Sequence, residues 1–134
     1  MKKLICALFT LISIFAVTPA LAADETTVFE LRVYTAPPGK MPDLLARFKN
    51  HTTRIFERHG MINVGYWLPV EQKEDDKIYY LLKHKSRTAA EASWKAFGAD
   101  PEWIKVSTES EANGPIVSHV ESTFLTSTEF SAIK

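Results

Sequence analysis

The segment Arg58-His59-Gly60, followed by Gly65-Tyr66-Trp67, decides the fold that this sequence predicts. Upstream of it, residues 41–59 repeat apolar side chains at the i, i+3, i+4, i+7 spacing that places them on one face of a helix. Gly60 is typical of a helix C-terminus, because glycine accepts the left-handed backbone found there. The aromatic residues beyond Gly65 favour a strand. The segment therefore marks the passage from helix to strand in a β-α-β unit.

The rest of the chain alternates strand and helix patterns around this segment. Val28 to Thr35 alternates in side-chain character with the period of two expected of a strand whose faces differ. Asp100-Pro101-Glu102 is typical of a helix start, with an acceptor at the N-cap and proline in the first turn. The predicted strands are 28–35, 62–70, 77–84 and 116–126; the predicted helices are 41–59, a segment capped by Ser86 or Thr88 and ended by Gly98, and a short helix from Asp100 to about Ala112.

This order, β-α-β-β-α-β with an added short helix, is that of a ferredoxin-like α+β fold. We expect a four-stranded antiparallel sheet with the helices on one face. An aromatic surface on the other face would be costly to expose, so a second subunit is expected to cover it. The residues predicted on that uncovered face are Tyr34, Tyr66 or Trp67, Tyr80, and Leu82 or Phe124.

The first 22 residues have the three parts of a signal peptide. A basic start, Met1-Lys2-Lys3, precedes an apolar run from Leu4 to Val17, and Ala20-Leu21-Ala22 provides a small-x-small cleavage site. The apolar run is too short for a membrane span, which needs roughly 20 residues. We expect export to the periplasm or out of the cell, with no membrane attachment after cleavage. Residues 23–134 are expected to form a single domain.

The composition of the predicted mature chain argues against nucleic acid and membranes as its partners. Removal of residues 1–22 leaves 14 Lys and Arg against 16 Asp and Glu, with the basic residues scattered among acidic ones. Neither a nucleic-acid-binding stripe nor a polybasic membrane patch is present. Cys6, the one cysteine, would leave with the signal peptide, so no disulfide is expected. Stability must come from a core, a partner subunit, or both.

Several short motifs resemble those of the NIPSNAP family, in their order and spacing over roughly 100 residues. Glu30-Leu31-Arg32-Val33-Tyr34 resembles its first strand, and Pro38-Gly39-Lys40 resembles its turn into the helix. The other matching segments are Arg58-His59-Gly60, Gly65-Tyr66-Trp67, Asp100-Pro101-Glu102-Trp103, Glu121-Ser122 and Phe130-Ser131.

The resemblance implies a homodimeric α/β barrel, in which two sheets face one another around an internal cavity. It implies no defined activity, because NIPSNAP proteins as a family are poorly defined biochemically. Relatives in the wider superfamily include cofactor-independent monooxygenases, haem-degrading enzymes and stress-response proteins. A fold alone does not choose among these functions.

Polar residues on the strands are the candidate ligand-binding groups. If Phe29, Leu31 and Val33 pack against the helices, the residues between them point into the implied barrel. The alternative is that Arg32 forms a buried pair with Glu30 or Glu121, which fixes the geometry of the sheet and the dimer. The predicted ligand-binding set is Arg32, Tyr34, Tyr80, His84, His119 and Glu121.

The sequence predicts no metal site and no cofactor. His51 and His59 lie eight residues apart on one helix, so they are separated by roughly 12 Å and cannot share an ion. His84 and His119 could meet only if their strands are neighbours in register. No Gly-rich phosphate loop, Gly-x-Ser-x-Gly elbow or His-Glu-x-x-His pattern occurs.

The sequence is compatible with three functions. The first is an exported homodimer that binds a small, partly apolar molecule in the barrel cavity, with its activity undefined. The second is a cofactor-independent oxygenase or related enzyme, in which His84 or His119 accepts a proton from an electron-rich substrate near Arg32. The third is a non-catalytic envelope scaffold or stress protein that acts through surface contacts.

Overall fold

The computed structural model describes residues 26–71 and 76–134. The predicted signal peptide and the centre of the predicted hairpin loop, residues 72–75, lie outside the described residues. The elements are β1 (Val28–Thr35), α1 (Met41–Arg47), a π-helical turn (Phe48–Thr52), α2 (Thr53–Arg58), β2 (Ile62–Trp67), β3 (Lys77–His84), α3 (Arg87–Gly98), α4 (Pro101–Ser110) and β4 (His119–Leu125).

The four strands form one antiparallel sheet in the order β2-β3-β1-β4, with β2 and β4 at its edges. This confirms the predicted ferredoxin-like α+β architecture. The predicted helix caps are also found: the Ser86 hydroxyl accepts from the Ala89 N–H at 3.0 Å, and Asp100 accepts from the N–H groups of Glu102 and Trp103. Among the described residues, no helix combines the length and apolar character that a membrane crossing requires.

The long helix predicted over residues 41–59 is present, but a π-helical turn interrupts it. A π turn lengthens the usual i to i−4 hydrogen-bond spacing and so disturbs the carbonyl ladder. Here threonine hydroxyls contact two of those carbonyls: Thr52 donates to the Arg47 carbonyl and Thr53 to that of Phe48, each at 3.2 Å. The side chains of these threonines therefore stabilise the turn locally.

The core lies between the sheet and the helices and is largely aromatic. Phe56 of α2 stands 4.9 Å from the ring of Phe97 and 5.3 Å from that of Trp94, both on α3. Tyr80 of β3 is fully buried beneath this layer and stacks on Tyr66 of β2 at 5.3 Å. Edge-to-face and offset contacts of this kind add to the stabilisation that apolar burial gives.

The predicted orientation of β1 is wrong. Glu30, Arg32 and Tyr34 face the helices, and Phe29, Leu31 and Val33 lie on the opposite, open face. Residues opposite each other in an antiparallel pair share a face, so the predicted uncovered residues Tyr34, Tyr66, Tyr80, Leu82 and Phe124 in fact lie on the helix side. Of that set only Trp67 is on the open face. The reason is that both faces of β1 carry large side chains, while hydrogen bonds offset the burial of its charged residues.

The motif Gly65-Tyr66-Trp67 places its two aromatic rings on opposite faces of β2. Tyr66 packs into the core, whereas Trp67 pairs with Tyr79 on the open face and is 53 % exposed. A Cβ atom on Gly65 would lie 2.5 Å from the Trp67 ring. Glycine is therefore required at this position for the Trp67 ring to lie flat along its own strand.

Two motifs about 40 residues apart in sequence meet at the start of α4. The Asp100 carboxylate accepts from the Arg58 guanidinium at 2.7 Å and contacts His59 Nε2 at 2.6 Å, besides capping α4. Arg58 also pairs with Glu102 at 2.8 Å. Hydrogen bonds from His59 and Arg58 hold the pKa of Asp100 well below its usual range. His59 is thus part of a joint between α2 and α4.

Candidate functional site

A buried carboxylate organises the polar groups between β1 and α3. Glu30 is 1 % exposed and accepts hydrogen bonds from Arg32 Nη1 at 2.6 Å, Trp94 Nε1 at 2.7 Å and Ser122 Oγ at 2.7 Å. His84 Nε2 lies 2.9 Å from its second oxygen. We call the group formed by these residues together with Tyr34 and Tyr80 the Glu30 cluster.

Arg32 is the cation of this cluster and its most accessible charged group. Besides Glu30, its guanidinium donates to the phenol oxygens of Tyr80 at 3.0 Å and Tyr34 at 3.3 Å. It also lies 4.2 Å from the centre of the Trp94 ring, in a cation–π contact. The side chain remains 15 % exposed. Arg32 therefore connects a buried polar network with solvent.

The pKa values follow from this arrangement. Burial raises the pKa of Glu30, but hydrogen bonds from His84, Ser122, Trp94 and Arg32 outweigh it and lower the pKa from 4.5 to about 2. Burial likewise lowers the pKa of Arg32, while the two phenol groups and Glu30 hold it above its ordinary value. Burial raises the pKa of Tyr80, so its phenol stays protonated near neutral pH. The cluster thus holds one carboxylate and one guanidinium.

His84 has one ring nitrogen without a partner. Its Nε2 faces Glu30, while its Nδ1 is buried and has no hydrogen bond among the described residues. A buried ring nitrogen that makes no hydrogen bond is uncommon in native proteins and is costly to leave unpaired. The Phe124 ring is 6.0 Å from the imidazole. The carboxylate contact orients the ring and leaves Nδ1 as a buried nitrogen with no hydrogen bond among the described residues.

The cluster opens to solvent beside the edge strand β4. Ser122 and Val120 of β4 share the helix-facing side of the sheet with Arg32 and Tyr34, and both are exposed. Phe124, further along the strand, is partly buried under the guanidinium of Arg87, which lies 3.9 Å from its ring centre. A molecule that approaches along β4 would therefore meet Arg32 between apolar side chains.

Four of the six predicted site residues lie in the cluster, namely Arg32, Tyr34, Tyr80 and His84. The other two do not: Glu121 pairs in register with Val33 on the open face, and His119 is 65 % exposed, 4.0 Å from Glu121. Because Ser122 is the β4 residue opposite Arg32, the strand presents a hydroxyl to the cluster instead of these two side chains.

Sequence reasoning missed Trp94 and Ser122, which complete the cluster from α3 and β4. Periodicity placed Trp94 on the apolar stripe of its helix without revealing that its indole N–H would meet Glu30. Ser122 could have been found from β4, since it alternates with Glu121 and must occupy the other face. The buried pair weighed as an alternative is present between Arg32 and Glu30.

The open face has a small apolar hollow of its own. It measures about 180 Å³ and is bordered by Phe29, Leu81, Leu125 and Ile133. Within the residues that the structure describes, no group of three or more His, Cys, Asp or Glu side chains is placed to hold a metal ion. The hollow on the open face is apolar, whereas the polar groups of the Glu30 cluster converge on the helix side of the sheet.

The family follows from comparison of the sequence with known families. The NIPSNAP family model matches residues 29–132, which is most of the chain. The chain belongs to the NIPSNAP family. Among the curated proteins, no sequence matches it.

Solved structures share the fold of this NIPSNAP domain. A NIPSNAP family protein of unknown function from Agrobacterium tumefaciens has a TM-score of 0.69 at 19 % identity, over 84 % of this chain and 97 % of that protein. A NIPSNAP-like domain protein from Burkholderia xenovorans has a TM-score of 0.68 at 16 % identity, over 80 % and 90 %. A variant of SnoaB, a cofactor-independent oxygenase from Streptomyces nogalater, has a TM-score of 0.50 at 16 % identity, over 81 % and 98 %. Identities this low establish the fold alone.

Proposed function

We propose that this NIPSNAP domain binds a small, partly apolar molecule at the Glu30 cluster, with Arg32 as its anchor. The observation that carries the proposal is the convergence of polar groups from β1, β3, β4 and α3 on one partly exposed guanidinium. Few, well-placed polar groups beside apolar side chains are typical of small-molecule sites.

The hydrogen bonds of Arg32 indicate the kind of ligand. A guanidinium has five N–H donors, and the three bonds to Glu30, Tyr34 and Tyr80 leave two of them without a partner among the described residues. Because Glu30 already neutralises the charge of Arg32, a neutral acceptor such as a carbonyl or phenol oxygen would be favoured. The exposed Val120 offers an apolar contact close by.

A retained ligand should depend on Arg32. We expect native mass spectrometry of protein purified from its own source to show a bound small molecule, and its occupancy to fall at least about tenfold in Arg32→Gln, since hydrogen bonds to a charged group contribute roughly 1.5–3 kcal/mol. Arg54→Gln is the matched control, because Arg54 is an exposed arginine that pairs with Glu102 on the helix surface.

A second variant guards against misfolding of Arg32→Gln. Val120→Glu adds a charge beside the cluster without removing any of its hydrogen bonds. It should also lower occupancy. A wild-type protein without any bound molecule, or a molecule retained in both variants, would contradict the proposal.

We also propose that the protein is exported and forms a homodimer through its open sheet face. Four large apolar side chains are exposed there or at its border, namely Trp67, Leu68, Tyr79 and Leu125. Exposure of such a patch to water is unfavourable, so its burial by a second subunit would stabilise the protein. Export is supported by the sequence of residues 1–22, which has the three parts expected of a signal peptide. The same mass spectra would report both features, as the subunit number and as a chain that lacks its first 22 residues.

A cofactor-independent oxygenase is the second candidate function. It is supported by the Glu30–His84 pair with its free Nδ1, and by the fold shared with SnoaB. In this reading, a phenol or quinol substrate bound at Arg32 would give a proton to His84, and molecular oxygen would then react with the electron-rich anion.

Oxygen consumption distinguishes this second candidate from simple binding. We expect substrate-dependent oxygen uptake with a panel of phenols and quinols, reduced at least about a hundredfold in His84→Ala, which is the usual size of a general-base contribution. His119→Ala should retain full activity, because His119 lies on the other face of the sheet. The absence of uptake by the wild-type protein would remove the enzyme from consideration and leave the binding proposal in place.

A further inference from the structure

A second site lies on the helix layer, apart from the Glu30 cluster. The helical run of α1 and the π-helical turn is separated from α4 by a cleft of about 370 Å³. Its lining comes from that run, from α4, and from Lys40 and Asn113. The volume falls at the lower end of the range of small-molecule pockets, roughly 300–1,000 Å³. We call it the α1–α4 cleft.

The cleft is built around a buried arginine. The Arg47 side chain is 5 % exposed, and its Nη1 donates to Glu111 at 3.0 Å and to Ser110 at 3.2 Å. Its guanidinium lies 5.2 Å from the centre of the Trp103 ring. No hydrogen bond among the described residues uses Nε or Nη2, neither is a sealed, unsatisfied atom, and Arg47 lines the cleft. These nitrogens are the edge of guanidinium that binds an oxyanion with two parallel hydrogen bonds.

The acidic side chains of the cleft already have ion-pair partners, whereas three of its N–H donor side chains have none among the described residues. Its acids are engaged in ion pairs: Asp43 lies 3.4 Å from Lys40, and Glu109 lies 3.9 Å from Lys105. Three other side chains with N–H donors, Asn50, His51 and Asn113, have no hydrogen bond or ion pair within the described residues. The acidic partner of Arg47, Glu111, is 40 % exposed, so water and salt screen its charge, unlike the buried Glu30 beside Arg32. The unused N–H groups of the cleft can therefore serve a ligand with acceptor oxygens.

The π-helical turn supplies two of these donors. Asn50 and His51 lie within it, directly after Arg47, and the threonine hydroxyls described above stabilise it. Turns of this type occur frequently at functional sites, although they cost the regular hydrogen-bond ladder of the helix. A ligand that used Asn50 and His51 would offset that cost.

We propose that the α1–α4 cleft binds the oxyanion group of a small molecule, a carboxylate or a phosphate, through Arg47, Asn50 and His51. The oxyanion would accept hydrogen bonds from Nε and Nη2 of Arg47 and from the side chains of Asn50 and His51. Because the cleft is larger than a bare anion, the molecule carries an organic part of several atoms. This site is independent of the ligand proposed for the Glu30 cluster.

The test titrates isotope-labelled protein with succinate and, separately, with inorganic phosphate, and follows the backbone amide signals by NMR. We expect saturable shifts centred on residues 47–51 and 107–113, at millimolar or lower concentration. The stronger of the two probes identifies the group. Arg47→Gln should weaken binding at least tenfold, and the double variant Asn50→Ala with His51→Ala should weaken it severalfold.

Lys49→Ala is the matched control, because Lys49 is an exposed cation of the same turn that does not line the cleft. Its affinity should equal that of the wild-type protein. If Arg47→Gln fails to fold, the double variant decides, since its two side chains hold no other contact. Shifts that never saturate with either probe, or an equal loss in Lys49→Ala, would overturn the proposal.

Discussion

Replacing Glu30 by glutamine is expected to destabilise the protein by about 3 kcal/mol at pH 7. Glu30 is buried, and four neighbouring side chains contact its carboxylate. Glutamine keeps the shape of the side chain but removes the charge, so Arg32 would remain partly buried without its counter-ion. Urea denaturation of both proteins measures the difference. Glu91→Gln is the control, because the pair of Glu91 with Arg87 is exposed and its loss should cost less than about 1 kcal/mol.

The stabilisation by Glu30 should also depend on pH in a defined direction. Its pKa is about 2 in the folded protein and 4.5 ordinarily, so the carboxylate binds protons less readily when folded. Its contribution is therefore complete above pH 4.5 and is lost as the pH falls towards 2. Two and a half pKa units correspond to about 3 kcal/mol. The gap between wild type and Glu30→Gln should shrink by about half at pH 3. A gap that stays constant from pH 7 to pH 3 would contradict this explanation.

Charges placed on the open sheet face are expected to dissociate the proposed dimer. Trp67 is 53 % and Tyr79 37 % exposed in one subunit, and the two are paired across β2 and β3. Buried aromatic residues commonly dominate the binding energy of an interface. Trp67→Glu or Tyr79→Glu should therefore weaken association at least about a hundredfold. Light scattering at micromolar concentration should give two subunits for the wild-type protein and one for either variant.

The control for this experiment changes an exposed apolar residue on the helix side. Ile104 of α4 is as exposed as Trp67, and Ile104→Glu should leave the dimer intact. A wild-type mass near one subunit would remove the dimer. A dimer that survives both open-face variants but dissociates in Ile104→Glu would place the interface on the helices instead.

The sequence predicts the elements well because their signals are local. Gly60 and Asp100 mark where helices end and begin, and the apolar spacing of residues 41–59 is that of a helix. The π-helical turn was not predicted, since Thr52 and Thr53 act through hydroxyl contacts to the backbone that leave the apolar stripe nearly unchanged.

The orientation of β1 could not be predicted from its own alternation. Phe29 and Leu31 suit a core as well as Tyr34 does, and charged side chains normally avoid one. Glu30 nevertheless faces the helices, because there it accepts hydrogen bonds from Trp94 and Ser122, which lie 64 and 92 residues away in the sequence. Such long-range hydrogen bonds offset the cost of burial, but only the assembled fold reveals them.

The joint at Asp100 changes the meaning of the motifs through which this sequence resembles its family. Arg58-His59 and Asp100-Pro101-Glu102 form one structural unit. The Asp100 carboxylate binds Arg58 and His59 at the end of α2, and it also caps the start of α4. The two motifs therefore record a contact between the end of α2 and the start of α4. The signature therefore reports how two helices pack, and by itself it assigns no ligand or reaction to a chain that carries it.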